Sequence, residues 1–449
     1  MNTTIPNSTA RESISIPSSF TSKRGGSNSW AQSAELVGAF RRGDQFAVMP
    51  RSAEYAPILS CNAACPYCPF SVTRHRILKG ELVPVGESAA EDDVHASTRG
   101  TAFRVIDAAK EAGAKGILFT GGGEPTIWPS LMDALHFCGK SQLHTALYTN
   151  GFEIARQQDF AVRLLHPDAA LVFCRVSINA ASPKASRLHW GVDFPVLDLQ
   201  LEALAHLLRA REELVPLYHR RGASIPSVQI STIVDKNTVA DLSEILQSVS
   251  RVFARFPLVR AEDDTMVVRP LTIHGHRRYS TADHPDSVIN QIIAVAGPQG
   301  CAAPTVNASG LRLFLGFGLD RIVSGEFSTY SELLAREYAS RTTSLANGVF
   351  LTVGPDATVY PCTEKNCQPA WALGNLKRQS VAEIYGGERR REILAQFDAT
   401  HWGPEMSQPT PRTSRLDRIA QAIHQGVLTD SMIGQIRELS MHSHDLLLD

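Results

Sequence analysis

No apolar run in this sequence approaches the ~18–20 residues that cross a bilayer as a helix, so no membrane anchor is expected. Charge of one sign is not in excess either. Lys and Arg total 44, Asp and Glu total 45, and the net charge is -1. Duplex-binding proteins usually carry a basic excess, so no nucleic-acid partner is expected. The stretch Met1–Trp30 lacks the apolar segment of about 7–15 residues that a secretory signal needs. It is rich in Ser, Thr and Asn and reads as a flexible arm, too polar to offset its ordering entropy. A cytoplasmic location is expected. No fixed-period repeat occurs. What remains is ordinary globular material: 449 residues, 43% hydrophobic and 20% charged, which excludes wholesale disorder, collagen and a coiled-coil rod. Cytosolic thiols stay reduced, so the eight cysteines are read as metal ligands or core residues before disulfides.

Short apolar runs alternate with amphipathic stretches from Tyr55 to Ile273. The spacing predicts strands at Tyr55–Ser60, Gly116–Thr120, His144–Thr149, Leu171–Ile178, Val228–Val234 and Met266–Ile273. Helical periodicity fills several gaps. Phe103, Ile106 and Ala109 recur within Thr101–Ala114, Leu131–Cys138 repeats the habit, and Leu197, Leu201, Leu204 and Leu208 mark Val196–Arg209. Strand–helix–strand order implies right-handed β-α-β units and a parallel sheet. The expected fold class is α/β, a partial six-stranded parallel β/α barrel over residues 51–275. An arm and lead-in occupy residues 1–50. A smaller α+β appendage covers residues 276–449, with helices at Ser328–Ala339, Arg389–Gln396 and Leu416–Leu448, the last broken near Gly426. Within it, Gly348–Cys362 alternates about a Gly-Pro-Asp turn and predicts a hairpin. Trp402–Arg412 is Pro-rich and reads as a linker.

The sharpest signal is "SCNAACPYCPF". Cys61, Cys65 and Cys68 follow the first predicted strand as C-x3-C-x2-C. Three thiolates on one short loop can converge on a soft metal centre. A structural zinc wants four ligands and no fourth Cys or His lies in the loop. Two readings follow: a zinc knuckle completed by a distant His, or an iron–sulfur cluster with one iron left without a protein ligand.

The loop and the strands after it resemble the radical S-adenosylmethionine (radical SAM) enzymes. Cys61, Cys65 and Cys68 match that family's C-x3-C-x-φ-C signature, with Tyr67 as the aromatic φ. The second strand ends in "FTGGGEPT", where Gly122, Gly123 and Glu124 match the family's Gly-Gly-Glu motif. The third ends in "YTNGF" and the fourth reads "RVSINAASPKASR", similar to the family's later strands. The resemblance spans about Pro57 to Pro270. It implies one [4Fe–4S] cluster on the three cysteines and S-adenosylmethionine bound at the open iron. It implies reductive cleavage to a 5′-deoxyadenosyl radical that abstracts hydrogen, with a flavodoxin- or ferredoxin-type electron donor. The cofactor supplies the hard chemistry and the protein supplies orientation. On this reading Gly121–Gly123 let the backbone approach a ligand, and Glu124 accepts from the methionyl ammonium. Ser177 and Asn179 contact the ribose or carboxylate from one strand face, and Arg187 clamps that carboxylate.

Cys362 and Cys367 flank "TEKN" after a "PC" turn, which resembles the auxiliary-cluster appendages of the SPASM and twitch type. Beyond Cys301 no further cysteine is available to them, so the appendage reads as degenerate, with a second cluster near Cys362 and Cys367 the less favoured outcome. Cys138 and Cys174 read as core residues, though Cys174 facing the barrel would be placed to donate hydrogen, and Cys301 is open to the same role. His274, His276, Arg277 and Arg278 follow the sixth strand at a barrel mouth, while His75–Lys79 reads as a surface charge run. The expected substrate is a small polar metabolite, a sugar, aminoglycoside or nucleoside of antibiotic or other natural-product biosynthesis. The outcome would be dehydration, deamination, epimerisation or dehydrogenation by a lyase or oxidoreductase. A peptide- or protein-modifying maturase is the alternative, and a non-catalytic iron–sulfur sensor a remote one.

Overall fold

The computed structural model describes residues 30–31, 33–68, 70, 95–257, 264–271, 286–300, 305–306, 311–316, 319–333, 348–395 and 411–440. Among them run eleven strands: β1 (Ser52–Tyr55), β2 (Gly116–Phe119), β3 (His144–Thr149), β4 (Leu171–Ser177), β5 (Ser227–Val234), β6 (Thr265–Pro270), β7 (Thr305–Val306), β8 (Arg312–Leu315), β9 (Phe350–Val353), β10 (Thr358–Tyr360) and β11 (Gly374–Asn375). Fourteen α-helices accompany them: α1 (Ala34–Arg42), α2 (Arg99–Glu111), α3 (Leu131–Lys140), α4 (Phe152–Arg156), α5 (Gln158–Leu164), α6 (Pro183–Trp190), α7 (Val196–Arg221), α8 (Leu242–Ala254), α9 (Asp286–Gly300), α10 (Leu319–Val323), α11 (Val381–Gly386), α12 (Glu388–Ala395), α13 (Pro411–His424) and α14 (Asp430–Ser440).

All the strands join one sheet, ordered β11-β10-β9-β1-β2-β3-β4-β5-β6-β8-β7. The expected six parallel strands stand consecutively at its centre. The sheet is open, a partial barrel whose first and last strands do not pair. Every residue of β2 is buried, as a parallel strand covered by helices requires. Alternation divides the sheet into two faces. Ile117, Phe119, Leu147, Cys174, Val176, Val228, Ile230 and Met266 pack with α2, α3, α7 and α8 in the main core. Leu118, Ala146 and Phe173 form a small separate cluster with Tyr148 on the opposite, inner face.

The helix ends are written in the sequence. Thr98 caps α2 by accepting from the Thr101 N–H, and Ser182 caps α6 ahead of Pro183. Gly191 and Gly222 close α6 and α7 in the left-handed region. Arg211 of α7 donates twice to Asp264, at 2.7 and 2.9 Å, and Asp264 also accepts from the Val228 N–H. Both ion-pair side chains are 1% exposed, which fastens α7 to the lower end of β5 and β6.

Three differences from the sequence expectation have physical causes. The first strand is Ser52–Tyr55, and Ala56–Ser60 is a lead-in. Pro57 cannot donate to a ladder, and the Ser97 and Leu59 N–H groups pair instead across the lead-in with Pro57 and His95 carbonyls. The C-terminal hairpin forms as expected, but β9 pairs in parallel with β1, so these strands continue the barrel sheet. A helix stands at Ala34–Arg42, where none was read. Its Leu36, Val37 and Phe40 pack with Ile419, Ile423 and Ile433 of α13 and α14. The expected arm over residues 1–29 lies outside the described residues, as do residues 334–339 of the expected helix Ser328–Ala339, His75–Lys79, His274–Arg278, Cys301 and residues 441–449. Trp402–Thr410 also lie outside, while Pro411 and Arg412 of the expected linker open α13. Among the described residues no helix is long and apolar enough to cross a membrane.

Candidate active site

The C-terminal ends of β1 to β4 converge on the cysteine loop. That edge is where parallel α/β sheets place ligands. The Ala64 N–H donates to the Trp190 carbonyl at 2.9 Å. A Cβ on Gly191 would lie 2.4 Å from the Ala64 oxygen, so only glycine lets α6 end against the loop. Asn62 accepts from the Asn150 side chain at 2.6 Å and donates to Glu153 at 3.3 Å. The loop is thus pinned from β3 and from α6.

Cys61, Cys65 and Cys68 are half-buried and in no disulfide. Burial pushes the Cys65 thiol well above its ordinary range, and the charges of Cys68 and then Cys61 push it further. A thiol raised by burial and by two neighbouring cysteines suits a cationic metal core, which removes both penalties. Among the described residues no three Cys, His, Asp or Glu side chains close around a single ion. Three thiolates with no fourth Cys or His in the loop match a cluster that leaves one iron without a protein ligand. The loop fits a cluster.

The Gly-Gly-Glu turn is packed on the residue before Cys61. A Cβ on Gly123 would lie 1.9 Å from the Ser60 oxygen, and one on Gly122 would lie 2.7 Å from the Ile58 oxygen. The Glu124 N–H donates to the Ser60 carbonyl at 2.9 Å. These glycines therefore serve chain-to-chain contact between β2 and the cysteine loop. The Glu124 side chain is 4% exposed. Its Oε1 accepts from the Thr126 N–H at 3.1 Å, the Thr126 hydroxyl at 2.7 Å and the Thr149 hydroxyl at 2.7 Å. Its Oε2 accepts from the Asn150 N–H at 2.8 Å. Burial raises its pKa, and these hydrogen bonds pull it back. Glu124 thus locks the ends of β2 and β3 together from within the protein.

Asn179 is 1% exposed and bridges two elements. Its oxygen accepts from the Ile233 N–H at 2.8 Å, and its amide donates to the Tyr67 hydroxyl at 3.2 Å. The Tyr67 ring lies 4.2 Å from the ring of His189 on α6. Burial raises the Tyr67 phenol and lowers His189 to about 4. Both His189 ring nitrogens are buried without a hydrogen bond. Ser177 ends β4 on the inner face, level with Ser231 of β5. Its carbonyl accepts from Gln200 of α7 at 2.6 Å, and the same amide reaches the Asn150 carbonyl.

One expectation is corrected. Arg187 lies at the surface: its side chain is 70% exposed and its Nε donates to Asp193 at 2.6 Å. Cys174 packs in the helix-covered core, in line with its reading as a core residue, and is not placed to donate hydrogen into the barrel. Residues that the sequence reading passed over include Tyr148, Arg175, Gln229 and Arg269. Their strand positions alternate with core residues, which is the signal that was available.

The C-terminal cysteines sit differently. Cys362 follows β10, which runs antiparallel to β9 and carries the chain back toward the start of β1. Thr363 donates to Glu54 of β1. Cys367 is 5% exposed with φ of 61°, and its thiol donates to the Asn366 side chain. A four-iron cluster is usually held by four thiolates. Two described cysteines do not fill such a site.

Comparison with known proteins agrees with this geometry. A model of the radical SAM superfamily matches residues 55–248, and a model of the SPASM iron–sulfur cluster-binding domain matches residues 347–407. No curated protein matches. The crystal structure of SuiB from Streptococcus suis superposes at TM-score 0.50 and 13% identity, covering 84% of this chain and 74% of that one. SuiB bound to S-adenosylmethionine gives TM-score 0.49 and 14% identity over 80% and 68%. BtrN in complex with AdoMet and 2-DOIA gives 0.32 and 11% over 79% and 90%. The chain carries a radical SAM domain, which implies a [4Fe–4S] cluster and S-adenosylmethionine, followed by a SPASM iron–sulfur domain, a class that implies further clusters.

Proposed function

We propose that this radical SAM enzyme abstracts hydrogen from a small polar metabolite of the sugar, aminoglycoside or nucleoside kind. Cys61, Cys65 and Cys68 would hold the cluster, which when bound supplies reductive cleavage of S-adenosylmethionine. The observation that carries the reading is the three-cysteine loop packed against the Gly-Gly-Glu turn, with Gly123 and the Glu124 N–H on the Ser60 carbonyl. Tyr67 is held in place by Asn179 and His189 beside the cysteines, and its ring would flank the cofactor. The Gly122–Glu124 backbone, fixed by the Glu124 carboxylate, would line the other side. Ser177 opens onto the inner face, where polar groups from β3 to β6 favour a polar substrate. An external one-electron donor would be needed, and dehydrogenation, dehydration, deamination and epimerisation all remain open outcomes for such a radical.

Cys362 and Cys367 would act as structural residues of a reduced appendage. The test is anaerobic reconstitution followed by reduction with S-adenosylmethionine and a panel of sugars, aminoglycosides, nucleosides and short peptides. The reading predicts that 5′-deoxyadenosine forms faster with a member of the first three groups. Acceleration by peptides alone would favour the maturase instead, and no 5′-deoxyadenosine from cluster-loaded protein would favour a sensor.

A further inference from the structure

His189 lies in the last turn of α6, and the next residue, Trp190, holds the cysteine loop through its carbonyl. His189 is 1% exposed, and neither ring nitrogen has a hydrogen bond. A neutral imidazole carries one donor and one acceptor. Burial keeps this ring neutral by lowering it to about 4, against a smaller opposite pull from the Asp235 charge. Two unmet polar atoms in a dry interior are unfavourable, and nearly all such atoms in native proteins have a partner.

The polar neighbours are committed elsewhere. Tyr67 meets His189 ring to ring at 4.2 Å, and its hydroxyl accepts from Asn179 at 3.2 Å. The Asn179 oxygen accepts from the Ile233 N–H at 2.8 Å. Asp235 turns one oxygen to the Asn237 and Thr238 N–H groups, at 2.8 and 3.0 Å, and the other to the Asn237 amide at 3.2 Å. Among the described residues none bonds the imidazole. It stands between the cysteine loop and the ends of β4 and β5, inside the site already described.

A neutral, buried imidazole pairs best with an uncharged donor or acceptor. The flat rings of Tyr67 and His189 suit a flat partner. The methionyl half of S-adenosylmethionine carries an ammonium and a carboxylate. The adenosyl half is uncharged, flat at its base, and edged with donors and acceptors. We propose that His189 is a binding residue for the adenine base of S-adenosylmethionine, with one ring nitrogen offered to the base edge. The proposal rests on the radical SAM reading for the identity of the ligand.

The test uses the full chain, loaded with its cluster anaerobically and left unreduced, so that S-adenosylmethionine is not cleaved. 5′-Methylthioadenosine and methionine serve as calorimetric probes of the two halves. Leu and Asn have nearly the same shape, so His189→Leu and His189→Asn differ mainly in hydrogen bonding. His189→Gln supplies a longer amide. 5′-Methylthioadenosine should bind His189→Leu roughly two- to tenfold more weakly than wild type, the range for a hydrogen bond between neutral groups. His189→Asn or His189→Gln should recover part of that loss, and methionine binding should not change. Without ligand the order reverses. His189→Leu should melt above His189→Asn, whose buried amide has no partner. If His189→Leu does not fold, His189→Met against His189→Gln repeats the comparison.

Wild-type affinity in His189→Leu, or equal losses in the Leu, Asn and Gln variants, overturns the proposal. An equal loss of methionine affinity overturns it too, as damage to the cysteine loop. So does a ligand-free His189→Asn that melts above His189→Leu, since it marks a partner within the protein. A cluster-loaded wild type that binds S-adenosylmethionine but not 5′-methylthioadenosine also defeats it. A wild type that holds no iron and binds no S-adenosylmethionine defeats the functional reading instead, and His189-dependent binding of 5′-methylthioadenosine would still stand.

Discussion

Two groups of cysteines hang from one sheet, and their surroundings differ. Cys61, Cys65 and Cys68 leave the C-terminal end of β1 on a loop that is half open and held by backbone contacts from the turn after β2 and from α6, and by the Asn150 side chain after β3. Cys362 and Cys367 follow the antiparallel return of β10, and Cys367 is sealed in with its thiol on Asn366. In the first group burial and the charges of Cys68 and Cys61 raise the Cys65 thiol, which a metal core relieves. Among the described residues the second group presents two thiols, in a domain whose family model implies further clusters.

The largest effect should come from the first group. Changing Cys61, Cys65 and Cys68 together to Ala should take reconstituted protein from about four irons per chain to none. Iron retained at about four would move the cluster to the other group and reverse the comparison. A wild type carrying about eight irons would show a second cluster near Cys362 and Cys367 after all.

Glu124→Gln comes next. It places an amide N–H against donors already aimed at the carboxylate, leaving one buried donor unpaired at a cost of about 1–3 kcal/mol. Melting temperature should fall, and S-adenosylmethionine should bind roughly tenfold more weakly as the turn loosens. The cluster spectrum should persist. Unchanged stability would mean that the β2–β3 lock does not form.

Cys362→Ala with Cys367→Ala should leave iron unchanged and lower stability by about 1–3 kcal/mol, because a sealed side chain is removed. Loss of iron in this variant would break the comparison from the other side. Arg187→Ala should do least. Its exposed pair with Asp193 is worth under about 1 kcal/mol. A tenfold loss of S-adenosylmethionine affinity there would restore the carboxylate clamp that the sequence suggested.

Much of this was legible. The C-x3-C-x2-C spacing and the Gly-Gly-Glu turn name their chemistry locally, and the β-α periodicity gave five of the six central strands within two or three residues of their observed bounds. What could not be read depended on partners far away in sequence. β1 was displaced because its pairing with β9 lies in residues 350–353, while Pro57 sat in the more apolar neighbouring run. The helix at Ala34–Arg42 was hidden by the polar stretch before it, though Ser33 and the Leu36–Phe40 face were there to see. Arg187 was misplaced because a residue's type says what it can do, and only the fold says which way it faces. Arg175 carried a usable hint, an Arg alternating with Cys174 and Val176 inside a buried strand.

The central claim is that the β1 loop builds a radical SAM centre. The most direct measurement is 5′-deoxyadenosine formation under reductant by anaerobically reconstituted wild type and by the three-cysteine variant. The account predicts slow formation by the wild type and none by the variant. Wild type with a full cluster that binds S-adenosylmethionine and yields no 5′-deoxyadenosine would contradict it.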